Sequence, residues 1–183
     1  MKKAAVLFAQ GFEEVEALTP VDFLRRAGVD VTVTGVGDLR IIGGHSVSIE
    51  MDATIEQLAS RDFDAVVIPG GMPGAENIAA SAAARTFIKG IYEKGGLVAA
   101  ICAAPAVVLD PMGILKNRKA TCYPGFESRF KDAGFTEERV VLDGTVLTSR
   151  GPGSAAEFSL AVIRYLVGDK AAEDLRKGTL QPV

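Results

Sequence analysis

The amino-acid sequence predicts an α/β fold in which helices sandwich a doubly wound, mostly parallel sheet. Apolar runs of strand length alternate with segments of helical periodicity along the chain. Two of these runs, "DAVVIPGG" and "GGLVAAIC", are almost continuously apolar, as expected for strands that are covered on both faces. The 183 residues contain no repeat, low-complexity tract or linker, so we expect a single domain over residues 1–183.

The first half of the chain supplies the opening strands and one helix. The first strand is predicted in "KAAVLFA", and the helix that follows lies in "EEVEALTPVDFLRRAG", with Gly28 as its stop signal. A second strand is predicted in "DVTVTGV". Two short strands around a Gly-Gly turn are predicted in "LRIIGGHSVSIEMD".

The second half completes the sheet after the two apolar strands. Further strands are predicted in "KATCY" and, as a pair, in "RVVLDGTVLTS". Two terminal helices are predicted in "SAAEFSLAVIRYLVG" and "KAAEDLRKG" because apolar side chains recur there at helical spacing.

Composition excludes several classes of function. The net charge is −3, from 20 basic and 23 acidic residues without a long run of either sign, so no dedicated nucleic-acid surface is expected. No apolar segment reaches the roughly 18 residues of a membrane span, and acidic residues follow the short apolar start at once, which favours a strand over a signal peptide. Two cysteines without paired spacing indicate free thiols in a reducing cytoplasm. With one histidine, they are too few to indicate a metal site.

Three predicted strands end in unusual residues. These ends are "AQGFEEVE", "PGGMPGAEN" and "AAICAAPA". Ligands of doubly wound sheets bind outside the carboxyl ends of the strands, near the point where the strand order reverses. We therefore expect the three ends to converge on one functional edge.

Cys102 lies where an apolar strand stops and small residues begin. The segment "AAPAVVL" after it could open a helix, and a helix N-terminus favours the thiolate over the thiol. The amide of Ala103 would then point toward an oxyanion formed by attack of the sulfur. A plain buried cysteine explains the same letters, so the local sequence leaves both readings open.

A helical wheel separates the acidic residues after the first strand. Glu16 shares a face with Phe12 and Phe23, so it is predicted to point toward the sheet, whereas Glu14 falls on a face predicted to be solvated. Burial raises the pKa of a carboxyl group, and such a group can exchange protons with a neighbouring thiol or substrate. The lone His45 lies in a turn expected to be distant from the strand ends.

Two further features have open readings. The segment "PGGMPG" offers the backbone amides of Gly70 and Gly71 for an oxyanion, although in isolation a simple turn is the preferred interpretation. Cys122 ends another predicted strand, either as a second site thiol or, in the preferred interpretation, as a bystander.

Four motifs occur in order over nearly the whole chain: "FAQGFEEVEALTPVDFLRRAG", "VVIPGGMPGAEN", "AAICAAPAVVL" and "VLTSRGPGSAAEFSLAVI". Together they resemble the ThiJ/PfpI superfamily, in the branch of the parkinsonism-associated protein and its bacterial relatives. The resemblance implies a flavodoxin-like fold and a homodimer. It also implies that Cys102 is a nucleophilic, easily oxidised thiol that is hydrogen-bonded to the carboxyl group of Glu16. The backbone amides of Gly71 and Ala103 form an anion-binding pocket in the family. Arg150 belongs to the "SRGPG" segment, which packs near that pocket in the family.

Two positions depart from the pattern of the family. Tyr123 stands where the best-known relatives have a histidine, and a phenol with a pKa of about 10 donates a hydrogen bond but is a poor base at neutral pH. Ala103 stands where the protease branch has a histidine, which argues against a peptidase. His45 matches a position that a partner subunit approaches in relatives.

The resemblance implies a cysteine-dependent enzyme without a cofactor that acts on small reactive dicarbonyls. The expected reaction is of the glyoxalase or deglycase type, such as conversion of methylglyoxal to lactate. The alternative is a redox-sensing stress protein or chaperone that uses an oxidisable cysteine and turns over no substrate.

Overall fold

The structure, a computed structural model, describes residues 1–182. The strands are β1 (Lys3–Phe8), β2 (Asp30–Gly35), β3 (Arg40–Ile42), β4 (Ser48–Glu50), β5 (Ala53–Thr54), β6 (Ala65–Ile68), β7 (Leu97–Ile101), β8 (Lys119–Ala120), β9 (Gly134–Phe135), β10 (Val140–Asp143) and β11 (Val146–Ser149). The helices are α1 (Glu14–Arg26), α2 (Gly74–Ala80), α3 (Ala82–Glu93), α4 (Ala155–Leu166) and α5 (Asp169–Gly178).

The main sheet has seven strands in the order β10-β11-β7-β6-β1-β2-β5. All neighbours in it are parallel except β10 and β11, which form an antiparallel hairpin. The strand order reverses beside β1, which pairs with β2 on one side and with β6 on the other. The predicted doubly wound, mostly parallel α/β fold is therefore confirmed.

Helices cover both faces of this sheet. Every residue of β6 and β7 is buried, which requires apolar cover on both sides. Helix α1 packs against α4, and α4 against α5, while α2 and α3 pack against each other and against the central strands. Among residues 1–182, no helix is long and apolar enough to cross a membrane.

Several elements differ from the sequence prediction. Within "KATCY", only Lys119–Ala120 forms a strand, and it pairs with β9 in a separate two-stranded sheet because the residues after it turn toward Cys102. The segment after Cys102 forms a short π-helical turn over Pro105–Leu109. Helices α2 and α3 add to the predicted elements, and Ser81 caps α3 by accepting a hydrogen bond from the amide of Ala84.

The small strands β3 and β4 form the predicted hairpin around its Gly-Gly turn. The hairpin does not join the main sheet. It packs instead against the β1–α1 connection, where the amide of Gly11 donates to the carbonyl of Ile42 at 2.8 Å and that of Gly44 to the carbonyl of Phe12 at 2.8 Å. The hairpin thereby covers the first turn of α1.

Candidate active site

The three unusual strand ends meet at Gly70, as the sequence predicts. The amide of Gly70 donates to Oε2 of Glu16 at 2.9 Å, and its carbonyl accepts from the amide of Glu13 at 3.1 Å. A methyl group added at Gly70 would lie 2.6 Å from Cβ and 3.0 Å from Sγ of Cys102, and 2.8 Å from Oε2 of Glu16. Glycine is therefore the residue that lets the thiol and the carboxyl group approach the same backbone atom.

Cys102 follows β7 directly and adopts φ +66°, a left-handed conformation that residues with a side chain rarely adopt. Its amide donates to the carbonyl of Ser149 at 2.9 Å, and its carbonyl accepts from the amide of Tyr123 at 2.8 Å. Such a conformation costs about 1–3 kcal/mol and persists where its surroundings enforce it, which is common at functional sites. The turn presents the sulfur at the sheet edge while leaving the residue only 9% exposed.

Glu16 is fully buried in the first turn of α1, on the face that the helical wheel predicted. The carboxylate of Glu13 caps the helix by accepting a hydrogen bond from the amide of Glu16 at 2.7 Å. Burial raises the pKa of Glu16 to about 7, with the charge of Glu13 acting in the same direction and hydrogen bonds with Cys102 and Gly70 opposing it. Near neutral pH, this carboxyl group is present both with and without its proton.

The environment of the Cys102 thiol differs from the sequence expectation that a helix start favours the thiolate. Burial raises its pKa, and the charge and hydrogen bond of Glu16 raise it further. The backbone amides of Gly71 and Ala103 lower it. Because ionised Glu16 repels a second negative charge, the thiolate forms most readily when the proton resides on Glu16.

Gly71 and Ala103 place two backbone amides at the sulfur, one from each neighbouring strand end. Gly71 has φ +83°, and a methyl group added there would lie 2.4 Å from the amide nitrogen of Glu13, so a side chain is excluded. Ala103 is buried at 2% exposure. Two amides aimed at one atom can stabilise a negative charge on sulfur or on an oxygen bound next to it.

Tyr123 lies at the mouth of the site and is 45% exposed. A methyl group added at Gly151 would lie 3.0 Å from Cδ2 of the Tyr123 ring and 3.8 Å from Oε1 of Glu16. The Tyr123 ring therefore borders the carboxyl side of the site. Oε1 of Glu16 is itself buried without a hydrogen-bond partner in residues 1–182, which leaves an acceptor or donor position free for a substrate.

Glu14 is buried at 8% exposure, so the prediction of a solvated face was wrong. The turn of the β3–β4 hairpin covers it, and its carboxylate accepts from the backbone amide of His45 at 2.6 Å and pairs with Nδ1 of His45 at 2.8 Å. Burial alone would raise the pKa of Glu14, but these hydrogen bonds outweigh it and hold the pKa low. No local pattern signals the contact, because it joins residues 31 positions apart.

His45 thus lies closer to the site than expected, although its ring is held by Glu14. Within the described part of the chain, Glu13, Glu14 and His45 are the group whose potential ligand atoms come together, within 4.8 Å of one another. The hydrogen bonds between Glu14 and His45 already account for this arrangement. It does not by itself indicate a metal ion.

The second cysteine has a different environment. Cys122 is fully buried, and burial together with the charge of Glu127 raises its pKa to about 12, against an opposing effect of Arg150. Cys122 therefore stays a thiol at neutral pH, as expected for a bystander.

Comparison with known proteins places this geometry in a family. The model of the DJ-1/PfpI family matches residues 2–165. The chain belongs to the DJ-1/PfpI family. The resemblance inferred from the four motifs is thereby confirmed.

Three DJ-1/PfpI relatives illustrate the range of the similarity. Protein DJ-1 homolog B of Arabidopsis thaliana is 38% identical over 176 residues, which cover 96% of this chain and 40% of that protein, so the chain spans well under half of that relative. Glutathione-independent glyoxalase DJR-1.2 of Caenorhabditis elegans is 31% identical over 96% of this chain and 95% of its own length. The structure of Toxoplasma gondii DJ-1, described as oxidized, superposes with a TM-score of 0.96 at 38% identity and covers both chains fully.

Proposed function

We propose that this DJ-1/PfpI protein is a cysteine-dependent enzyme that converts 2-oxoaldehydes such as methylglyoxal to 2-hydroxy acids without a cofactor. The observation that carries the proposal is the pairing of the Cys102 thiol with the Glu16 carboxyl group, whose pKa is about 7, beneath the amides of Gly71 and Ala103. The relative from Caenorhabditis elegans, named a glutathione-independent glyoxalase, supports the same chemistry at 31% identity.

The reaction begins with addition of the Cys102 thiolate to the aldehyde carbon, which gives a hemithioacetal. Its oxygen lies at the amides of Gly71 and Ala103, and it receives a proton from Glu16. Glu16, now a carboxylate, removes the hydrogen of the former aldehyde carbon as a proton, and an enediolate forms with its negative charge on the oxygen of the neighbouring carbon. The hydroxyl proton on the former aldehyde carbon passes to that oxygen, Glu16 returns its proton to the neighbouring carbon, and a thioester of the 2-hydroxy acid results.

Water hydrolyses the thioester, releasing the hydroxy acid and restoring the thiol. One substrate carbon is oxidised by two electrons and its neighbour is reduced by two, so the sum is methylglyoxal plus water giving lactic acid. No external electron acceptor is needed. Glu16 suits the repeated proton transfer because a pKa of about 7 makes it both an acid and a base at neutral pH.

Tyr123 is proposed to donate a hydrogen bond from its phenol to the developing oxyanion. Its ring borders the site beside Gly151, and its partial exposure lets the hydroxyl reach a substrate. A tyrosine adds no base to the site, so proton transfer rests on Glu16 alone.

The test is direct measurement of lactate formed from methylglyoxal by the purified protein. Lactate should form with the parent protein and with the matched control Cys122→Ser, but not with Cys102→Ser or Glu16→Gln. Lactate is the quantity to follow, because consumption of free dicarbonyl also reverses glycation adducts and imitates a deglycase. Lactate formation that survives loss of Cys102, or no lactate from the parent, would refute the proposal.

A second candidate function is sensing of oxidants through Cys102 without turnover. The amides of Gly71 and Ala103 and a protonated Glu16 offer hydrogen bonds to a sulfinate, and the similar Toxoplasma gondii structure is described as oxidized. Mild peroxide should then raise the intact mass by two oxygen atoms, and these should map to Cys102 and not to Cys122. Equal oxidation of both cysteines, or of neither, would count against a sensor.

The homodimer and a cytoplasmic location also remain predictions. Val15, Ile42 and Val47 are 49%, 46% and 42% exposed on α1 and on the β3–β4 hairpin, two elements joined by the contact between Glu14 and His45. A second copy of the chain would remove this apolar surface from water. Light scattering of the parent and of Val15→Glu tests the predicted homodimer. We expect the mass of two chains for the parent and of one chain for the variant. A monomeric parent would refute the homodimer.

A further inference from the structure

We propose that a groove beside the candidate site selects 2-oxoaldehydes whose chain ends in a carboxylate, and that Arg150 binds this carboxylate. We call it the Arg150 groove; it has a volume of about 180 Å³ and is lined by Tyr123, Pro124, Arg139 and residues 150–154. The inference deepens the proposed function, on which it rests.

The Arg150 groove lies next to the carboxyl group of Glu16. Gly151 lines the groove, and a methyl group added to it would lie 3.8 Å from Oε1 of Glu16 and 3.0 Å from the ring of Tyr123. A substrate held at Cys102 and Glu16 therefore directs the rest of its chain along Gly151. A volume of 180 Å³ equals that of about six water molecules, which gives room for a short chain.

The charge of Arg150 has no partner within the described residues 1–182. Among residues 1–182, Arg129 and Arg150 are the arginines whose guanidinium makes neither a hydrogen bond nor an ion pair with another residue. Arg129 is exposed to water, whereas Arg150 is partly buried and its Nη1 is fully buried without an acceptor. Its guanidinium lies 5.9 Å above the ring of Phe135, which orients it but does not neutralise it.

The remaining charges make the groove positive. Arg139, the other cation of the lining, is paired with Glu157 at 2.8 Å and 3.0 Å, so its charge is balanced. None of the described lining residues carries a carboxylate. A guanidinium that is partly withdrawn from water and unpaired binds a carboxylate with strong, charge-assisted hydrogen bonds. The groove therefore favours an anionic chain end over an apolar one.

The test compares two substrates of equal chain length, 4,5-dioxopentanoate and the neutral 2-oxopentanal. The ratio of their kcat/KM values should favour the carboxylate by about tenfold or more in the parent, which is the effect of one charge-assisted hydrogen bond. Arg150→Met should bring this ratio close to one, and Arg150→Lys should retain part of it. The matched control Arg85→Met, whose arginine on α3 bonds only to the carbonyl of Ala79, should leave it unchanged. A parent ratio near one, or a ratio that survives in Arg150→Met, would overturn the inference.

A binding measurement separates this inference from the proposed function. Levulinate has the same chain and carboxylate as 4,5-dioxopentanoate but lacks the aldehyde, and 2-pentanone lacks the charge as well. On the Cys102→Ser protein, levulinate should shift the amide NMR signals of Gly151 and Gly153 at concentrations about tenfold below those of 2-pentanone, and only while Arg150 is present. Levulinate binding of this kind by a protein that turns over no 2-oxoaldehyde would refute the proposed enzymatic activity and retain the inference that Arg150 binds a carboxylate. Lactate formation without levulinate binding would do the reverse.

If Arg150→Met does not fold, Arg150→Lys carries both measurements. It keeps the positive charge and loses the planar fork, so it should weaken levulinate binding while preserving the dependence on the carboxylate. If levulinate binds no more tightly than 2-pentanone, both to the parent and to a folded Arg150→Lys protein, the inference is overturned.

Discussion

Replacement of Glu16 by glutamine should change how the stability of the protein depends on pH. The variant keeps the shape of the side chain and an oxygen for the hydrogen bond from the amide of Gly70, which spans 2.9 Å in the parent. It removes a buried carboxyl group whose pKa is about 7. Because glutamine cannot ionise, the difference between parent and variant isolates the free energy of ionising Glu16 inside the protein.

The magnitude follows from the pKa of Glu16. Burial raises it from 4.5 to about 7, so the folded protein holds this proton more tightly than the unfolded chain does. The stabilisation is complete below pH 4.5 and is lost as the pH rises to about 7. At about 1.4 kcal/mol for each pK unit, the parent should lose about 3 kcal/mol of unfolding free energy over this range, relative to Glu16→Gln. The side chain is fully buried, so solvent screening does not reduce this value.

Urea unfolding of both proteins at several pH values between 4.5 and 7.5 measures the difference. The curve of the parent should fall away from that of the variant as the pH rises. Other titrating groups are common to both proteins and cancel. Cys102 contributes nothing to this window, because burial and Glu16 raise the pKa of its thiol. Parallel curves would show that Glu16 ionises like an exposed glutamate, and the argument from burial would be refuted.

Three further predictions follow from contacts of the site. Gly70→Ala places a methyl group 2.6 Å from Cβ of Cys102, so it should cost about 2 kcal/mol in urea unfolding and slow alkylation of Cys102; unchanged alkylation would contradict the crowding. His45→Ala removes a hydrogen bond that holds the pKa of Glu14 low, and a lowered carboxyl pKa stabilises the folded protein until the pH falls through that pKa. In an acid titration followed by circular dichroism, the variant should therefore unfold at a higher pH than the parent. Coincident titration curves would refute the coupling between His45 and Glu14. Tyr123→Phe keeps the ring and removes the hydroxyl, so lactate formation should fall by about a hundredfold with no change in Tm, and full activity would remove Tyr123 from the oxyanion site.

Local patterns were sufficient to predict most of the fold. Continuous apolar runs predict β6 and β7 because burial on both faces leaves no place for polar side chains. The strand predicted in "KATCY" was wrong in length and in sheet, because pairing depends on which neighbour the chain meets and not on β propensity alone. The position of Glu16 was predictable since helical periodicity decides which face of α1 is inward.

The sequence by itself determined the alternation of strands and helices, the placement of Cys102 at a strand end, the inward face of Glu16 and the family. These features depend on residues that are close together in the chain or on motifs in a fixed order. Only the tertiary structure decided that the hairpin buries Glu14, that Glu16 raises the pKa of the Cys102 thiol, and that Nη1 of Arg150 is buried without an acceptor among residues 1–182. The physical reason is that burial and charge interactions act through space, between groups that the sequence places tens of residues apart.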